Sequence, residues 1–359
     1  MTLARSLALV VSGACLVTLA GCAQPTASPP PTAASTTQPP PPLPTSAPAL
    51  EQNYVAVVAR ALPSVVQIST DRGLGSGVVF DKQGDIVTNA HVVGNASRFQ
   101  VRLSSSPTPV PASLVGAYQP DDLAVVKLDQ PPANLTPAVF GNSDQLRIGQ
   151  IVLAVGNPLV LSGSVTDGIV SATGRTVSES RSAESPGATL PDVVQTSAAI
   201  NPGNSGGALV NLSGQVIGVP TLAALDPQVG GGAAPGIGFA IASNIVTDIA
   251  TQIVRNGHVV NSHRAELGVG VATMLGPDGQ PAGAGVATVV QGGPAAAAGI
   301  PPGVIITQLA GQPVGSGSDL TTQLAGMQPG QQVPVVITDP ADGSTRSVTV
   351  TLGQLPGSG

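Results

Sequence analysis

The stretch Asn201-Pro-Gly-Asn-Ser205-Gly-Gly-Ala-Leu-Val210 is the most informative part of this chain. Glycines on both sides of Ser205 allow a tight turn that presents its hydroxyl just ahead of an apolar strand. The same turn leaves the N–H groups of Gly203 and Ser205 free to point at one spot, which is the geometry of an oxyanion hole. The alternative interpretation is a Gly-rich hairpin with no catalytic role.

A second informative stretch is Thr88-Asn-Ala-His91-Val-Val93. His91 is the only histidine before residue 258, so any histidine chemistry in the first part of the chain falls to it. A neutral imidazole is the general base that a serine nucleophile needs. His91 is therefore the candidate base, and a structural histidine is the alternative.

A third stretch, Asp121-Asp122-Leu-Ala-Val-Val-Lys-Leu128, places acids at the head of an apolar strand. A carboxylate is costly to bury there unless it is hydrogen-bonded. A catalytic triad supplies that bond, because the acid accepts from the histidine Nδ1–H and fixes the tautomer. We prefer Asp122 to Asp121, since the strand alternation begins directly after it. A capped or solvated acidic turn is the alternative.

Together the three stretches resemble the signatures of the HtrA/Deg family of chymotrypsin-like serine proteases, in the same order and with similar spacing. His91 precedes Asp122 by 31 residues, and Asp122 precedes Ser205 by 83. The resemblance extends from residue 54 to about residue 352. Four further matches to the family framework are Gly75-Ser-Gly77, Gly156-Asn-Pro158, Gly168-Ile-Val-Ser-Ala172 and Gly236-Ile-Gly-Phe-Ala-Ile241.

The resemblance implies a mainly β chain, with a chymotrypsin-like double β-barrel protease domain followed by a PDZ domain. It makes Ser205 the nucleophile, His91 the base that returns the proton to the leaving amine, and Asp122 the residue that orients the imidazole. The amides of Gly203 and Ser205 would hold the oxyanion. The reaction needs neither a cofactor nor a metal.

The resemblance also places the floor of the S1 pocket at Ala199, with Ile200 beside it. Because neither residue is acidic, we expect small or medium aliphatic P1 residues rather than Arg or Lys. Arg175 matches an arginine that senses activating ligands in the family. A solvated loop arginine is the alternative, since the loop between Arg175 and Asp192 is longer than usual. The family's Thr-Asp-Ala is Thr196-Ser-Ala198 here.

The C-terminal part resembles an HtrA PDZ domain. Leu267, Gly268 and Val269 fit the loop whose N–H groups bind a peptide's terminal carboxylate, while the peptide adds a strand to the sheet. Gly293-Pro-Ala-Ala-Ala-Ala-Gly299 fits one helix of such a domain, and residues 319–324 fit the other. The family's Gly-Asp-Val-Ile lacks its aspartate here, so a structural PDZ with a weak groove is the alternative.

The N-terminus is typical of an export signal. Arg5 precedes an apolar run, residues 6–20, that is too short to cross a membrane comfortably. Leu19-Ala-Gly-Cys22 resembles the lipobox of bacterial lipoproteins, in which the cysteine is diacylated; an ordinary signal peptide and an uncleaved anchor are the alternatives. Residues 23–50 hold ten prolines and no charge, which is typical of an extended spacer.

The composition narrows the functional class. With a net charge of −6 and no cationic cluster, the chain is not a nucleic-acid binder, and with two cysteines it has no disulfide framework.

We expect five parts: a lipoprotein signal peptide (1–21), a Pro-rich spacer with lipidated Cys22 (22–52), the protease domain (53–257), a linker (258–264) and the PDZ domain (265–355).

The function that the resemblance implies is an extracytoplasmic serine endopeptidase, lipid-anchored to the bacterial cell membrane. Its substrates would be misfolded or damaged envelope proteins, as in stress-response quality control, and its PDZ domain would bind peptide C-termini. The resemblance further implies a homotrimer. One alternative is a non-proteolytic chaperone or scaffold that holds exposed C-termini, and another is a regulatory protease with one dedicated substrate.

Overall fold

The computed structural model describes residues 47–70, 73–106, 108–157, 164–178, 188–201, 203–226 and 232–357. The predicted signal peptide, Cys22 and most of the predicted spacer lie outside these residues. The first element is helix α1 (Ala47–Ala61), which ends at a 3-10 turn over Leu62–Ser64. The sequence predicts a helix from Tyr54; the observed helix starts earlier because Ala, Leu and Glu favour helix and Pro48 is tolerated in its first turn.

The first barrel is a closed antiparallel sheet with the strand order β1-β2-β3-β6-β5-β4. A short helix, α2 (Ala90–Val93), lies between β3 and β4. The interior of this barrel is apolar, and side chains such as Val66, Ile68 and Ile86 are fully buried in it. The strands are β1 (Val65–Ser69), β2 (Leu74–Val79), β3 (Asp85–Thr88), β4 (Arg98–Arg102), β5 (Val110–Tyr118) and β6 (Leu123–Leu128).

The second barrel is closed in the order β10-β11-β12-β9-β8-β7. A 3-10 turn at Gln119–Asp121 connects β5 to β6 in the first barrel, and a second one at Ser143–Gln145 precedes β7, the first strand of the second barrel. The two barrels reproduce the predicted double-barrel architecture. The strands are β7 (Ile151–Gly156), β8 (Ser164–Ser178), β9 (Thr189–Thr196), β10 (Ala208–Asn211), β11 (Val216–Asp226) and β12 (Gly232–Ala242).

Helix α3 (Ser243–Asn256) seals the junction between the barrels. Its buried residues Val246, Ile249, Ala250 and Ile253 recur at helical spacing and form one apolar stripe. This stripe packs in one cluster with residues of both barrels: Tyr118, Leu123, Val193 and Val219. The helix ends at Asn256, and the next residue, Gly257, has a φ of +78°, which suits the left-handed position after a helix.

The C-terminal sheet has the strand order β14-β15-β16-β18-β19, with β17 paired to β16 and a separate pair β13–β20. A core of small and aliphatic side chains fills the space beneath its helices. The elements are β13 (Ala265–Glu266), β14 (Val269–Leu275), β15 (Pro281–Val289), α4 (Pro294–Ala297), β16 (Ile305–Leu309), β17 (Gln312–Pro313), α5 (Gly317–Ala325), β18 (Gln332–Thr338), β19 (Thr345–Thr351) and β20 (Gly353–Gln354). Across the described ranges, no helix has the length and apolar character that crossing a bilayer requires.

Candidate active site

His91 and Asp122 form a directly hydrogen-bonded pair between α2 and the head of β6. The His91 Nδ1 lies 2.8 Å from the Asp122 Oδ2, and the His91 main-chain N–H donates to Oδ1 at 2.9 Å. The Asp122 side chain is 8% exposed and the His91 side chain 24% exposed. A carboxylate only accepts hydrogen bonds, so Nδ1 carries the proton and Nε2 is left as the basic nitrogen of the neutral ring.

Thr221, on β11, contacts Asp122 from the second barrel. Its hydroxyl donates to Asp122 Oδ2 at 2.5 Å, which gives that carboxylate a third donor. Its main-chain carbonyl accepts from the Ser205 hydroxyl at 3.3 Å. Thr221 therefore connects the acid of the pair with the predicted nucleophile, although no sequence pattern singles it out.

Ser205 lies in a tight turn that leads into β10. The turn is closed by hydrogen bonds from Asn204 N to Asn201 O (3.0 Å) and from Gly207 N to Asn204 O (2.9 Å). Within the described residues, no acceptor takes the N–H of Gly203 or of Ser205. The role of these two amides as oxyanion donors stays a prediction from the sequence.

The predicted S1 residues lie just ahead of this turn and have different environments. Ala199 is exposed, and its carbonyl accepts from Thr166 Oγ1 at 2.8 Å and from Asn204 Nδ2 at 3.3 Å. Ile200 is buried, and a Cβ on Gly238 of β12 would lie 2.4 Å from its Cγ1. The glycine is therefore what lets Ile200 pack against β12.

The predicted regulatory and PDZ residues lie outside the triad region. Arg175 is exposed on β8 and pairs in register with Val193 of β9. Leu267 is buried in the PDZ core, and its carbonyl accepts from Ala295 N at 2.9 Å. Gly268 has a φ of +67°, and Val269 begins β14. The described residues hold no group of three or more His, Cys, Asp or Glu side chains that would suit a metal ion.

Two closed β-barrels with a His–Asp pair and a glycine-flanked serine near their junction define the class of chymotrypsin-like serine proteases, here with an additional C-terminal domain. Comparison with protein families agrees: residues 75–219 match the trypsin-like peptidase domain and residues 253–352 match the PDZ domain. The chain belongs to the HtrA family of serine proteases.

Its relatives include the serine protease PepD of Mycobacterium tuberculosis, which is 41% identical over 83% of this chain, and the periplasmic serine endoprotease DegP of Escherichia coli, 40% identical over 78%. The chain spans 65% of the length of PepD and 57% of that of DegP, so less than two thirds of either. The solved structure of the HtrA-type protease AlgW with a decapeptide is 33% identical, with a TM-score of 0.57, and covers 84% of this chain and 99% of its own.

Proposed function

We propose that this chain is a serine endopeptidase that hydrolyses peptide bonds in misfolded or damaged proteins outside the cytoplasm. The observation that carries the proposal is the 2.8 Å contact between His91 Nδ1 and Asp122 Oδ2, since this contact prepares the imidazole as a base. Thr221 joins this pair to Ser205, and a binding module would have no use for that connection. The alternative of a non-proteolytic chaperone or scaffold is therefore disfavoured.

In the proposed reaction the Ser205 hydroxyl attacks the peptide carbonyl while His91 Nε2 takes its proton. Asp122 holds the ring in the productive tautomer and stabilises the imidazolium that forms. The amides of Gly203 and Ser205 donate to the tetrahedral oxyanion. Collapse of this intermediate transfers the proton from His91 to the leaving amine, and water then hydrolyses the acyl-enzyme by the same route.

The proposal is tested by the cleavage of unfolded casein. The Ser205→Ala protein should fold normally and lose activity by about three to six orders of magnitude, because triad members act as a unit. Wild-type activity should also be blocked by a fluorophosphonate, which phosphonylates a nucleophilic serine as fluoride leaves. Residual Ser205→Ala activity within about tenfold of wild type would remove Ser205 from the mechanism, whereas casein binding without cleavage by the wild type would favour the chaperone.

The domain limits, the S1 preference and the role of the PDZ domain are parts of the same proposal. We infer a protease domain at 53–257 and a PDZ domain at 265–355 that binds peptide C-termini along β14 through residues 267–269. Arg175, on the β8 strand that α5 approaches, would respond to that binding. The absence of an acid at Ala199 and Ile200 supports cleavage after small or medium aliphatic residues. A homotrimer is the oligomer that the family resemblance suggests.

We further propose that the protein is exported and anchored by diacylated Cys22 to the outer face of the cell membrane. The periplasmic location in the names of DegP and its relatives supports export. Two acyl chains give stable anchoring where one gives only marginal binding. Cys22→Ala should therefore move the protein from the detergent phase to the aqueous phase in a Triton X-114 partition. Cys15→Ala is the matched control, and an unchanged partition of Cys22→Ala would place any anchor elsewhere.

A further inference from the structure

Ser76, in the middle of β2, is connected to the Ser205 turn by both its main chain and its side chain. It is fully buried and flanked by Gly75 and Gly77. Its N–H donates to the Ser205 carbonyl at 3.0 Å, and its own carbonyl accepts from Thr88 Oγ1 at 2.7 Å. The main chain of β2 thus supports the nucleophile's residue directly.

The Ser76 hydroxyl is used twice. It donates to the carbonyl oxygen of Gly203 at 2.5 Å and accepts from the N–H of Asn157 at 2.8 Å. A hydroxyl has one proton and two lone pairs, so both bonds exist at the same time. One oxygen atom therefore ties together β2, the residue that follows β7 and the Ser205 turn.

The peptide group that Ser76 holds lies between the two oxyanion donors. The Gly203–Asn204 peptide has its carbonyl bound by Ser76 and its N–H bound by the Asn201 carbonyl at 3.0 Å. The peptides on either side of it carry the N–H groups of Gly203 and Ser205. Because a peptide is planar and only two dihedrals join it to the next, fixing the central plane restricts the direction of both donors.

Gly203 makes such a restraint necessary. Its φ of +103° lies in a region that glycine enters and leaves without steric cost, since it has no Cβ. Without a fixed partner for its carbonyl, the turn has other conformations, in which the N–H groups of Gly203 and Ser205 point in other directions. The energetic advantage of an oxyanion hole depends on donors that are oriented before the charge develops.

We propose that Ser76 is a positioning residue, which holds the oxyanion turn in its catalytic conformation through the bond from its hydroxyl to the Gly203 carbonyl. This inference rests on the proposed peptidase function. It assigns to β2 a role in the transition state, distinct from its role in the core of the first barrel.

The test compares Ser76→Ala with Ser243→Ala in the full-length protein. Ser243 is an equally buried serine whose hydroxyl donates to a loop carbonyl, Gly141 O, at 2.7 Å. On one chromogenic peptide, Ser76→Ala should lower kcat by about tenfold or more with KM changed by less than about twofold, because the oxyanion bond is made only in the transition state. Affinity for a peptidyl boronate should fall by a similar factor. The pH profile, which reports on His91, should be unchanged.

Ser243→Ala should lower the unfolding temperature about as much as Ser76→Ala does, because each variant loses a buried hydroxyl. Its kcat, however, should stay within about twofold of wild type. If Ser76→Ala does not fold, Ser76→Cys against Ser243→Cys serves the same purpose, since a thiol fills the space but donates weakly. Equal kcat in the two members of either pair, with an active wild type, would overturn the positioning role alone. A wild type that neither cleaves peptides nor reacts with a fluorophosphonate would overturn the proposed function, and this inference with it.

Discussion

Asp122 is held in a backbone conformation that a non-glycine residue adopts only at a cost. Its φ of +51° and ψ of +41° lie in the left-handed region, which is unfavourable by about 1–2 kcal/mol. Hydrogen bonds from Ala90 N and Asn89 Nδ2 to the Asp122 carbonyl, and from its own N–H to Gln119 O, keep it there. Asp122, which contacts His91, therefore has a strained backbone, as residues at functional sites often do.

Thr221 provides a residue-level test of the triad environment. In Thr221→Val the 2.5 Å donor to Asp122 is lost with little change in volume, which leaves a buried carboxylate one hydrogen bond short. We expect a loss of about 1–3 kcal/mol in unfolding free energy and a kcat lower by about tenfold. Thr221→Ser, which keeps the hydroxyl, is the control in urea titration and peptide kinetics. If Thr221→Val retains the kcat of Thr221→Ser, the third hydrogen bond to Asp122 is dispensable.

Gly206, directly after Ser205, provides a second residue-level test. Its φ is +80°, and a Cβ there would lie 2.2 Å from the Ser76 carbonyl oxygen. Gly214 has a similar φ of +77°, but its nearest neighbour is a carbon of the flexible Arg60 side chain, at 2.9 Å. Both alanine variants carry the left-handed strain of about 1–2 kcal/mol, and only Gly206→Ala adds a clash with main chain.

We expect Gly214→Ala to lose about 1–2 kcal/mol of unfolding free energy and to keep its kcat, and Gly206→Ala to lose more than this and to be nearly inactive. Calorimetry and peptide kinetics on the two proteins measure both effects. Similar losses in the two variants would mean that the turn relaxes away from Ser76.

At the scale of elements, strands with a continuous apolar run could be predicted from sequence. The pattern predicts strands at Val65–Ser69 and Leu123–Leu128, and β1 and β6 have those bounds. It also predicts a closing helix at residues 245–255, and α3 runs from Ser243 to Asn256. Such runs combine β-branched residues with flanking turn residues, which makes the local preference agree with the tertiary packing.

The same pattern does not predict strands β5 and β9, because their sequences contain residues that usually end strands. β5 includes Pro111 and Gly116, and β9 includes Pro191 and Asp192. The pairing of both strands is interrupted by register shifts, which accommodate such residues. A Cβ on Gly116 would lie 2.3 Å from the carbonyl oxygen of Gly257, so the close approach of the chain after α3 requires this glycine. Local pattern carries no information on that contact.

The difference between local sequence pattern and long-range contact also applies to the candidate active site. His91, Asp122 and Ser205 are recognisable because each lies in a locally distinctive stretch. Thr221 and Ser76 are not, because their partners come from far along the chain: 99 residues separate Thr221 from Asp122, and 127 separate Ser76 from Gly203. Only the closed barrels bring such pairs together. The sequence therefore indicates the proposed triad, and the structure adds the groups that contact it.

At the scale of the whole molecule, Arg264 joins the C-terminal domain to Asp121, the residue next to the proposed triad acid Asp122. Its side chain is 9% exposed and donates to Asp121 Oδ1 at 2.9 Å, to the Pro120 carbonyl at 2.6 Å and to the Thr189 carbonyl at 2.8 Å. Its main-chain carbonyl accepts from the N–H of Leu355, beyond the last strand of the PDZ domain. Burial raises the pKa of Asp121, and the guanidinium partly offsets that rise.

Replacement of Arg264 should therefore affect stability and catalysis together. In Arg264→Ala the Asp121 carboxylate, whose side chain is 5% exposed, is left buried without a counter-charge, and breaking such a pair costs about 3–5 kcal/mol. Because Asp121 adjoins Asp122, kcat should fall as well. Adding Asp121→Asn removes the uncompensated charge, so the double variant should be more stable than Arg264→Ala alone.

The matched control is Arg98→Ala, which breaks the exposed pair with Asp129, where the side chains are 75% and 37% exposed. Exposed pairs contribute about 0–1 kcal/mol, so this variant should unfold within a few degrees of wild type and keep its kcat. Calorimetry on the four proteins, with peptide kinetics below the lowest unfolding temperature, completes the comparison. If Arg264→Ala behaves like Arg98→Ala in both measurements, the Asp121 contact carries no energy, and the triad acid is independent of the C-terminal domain at this junction.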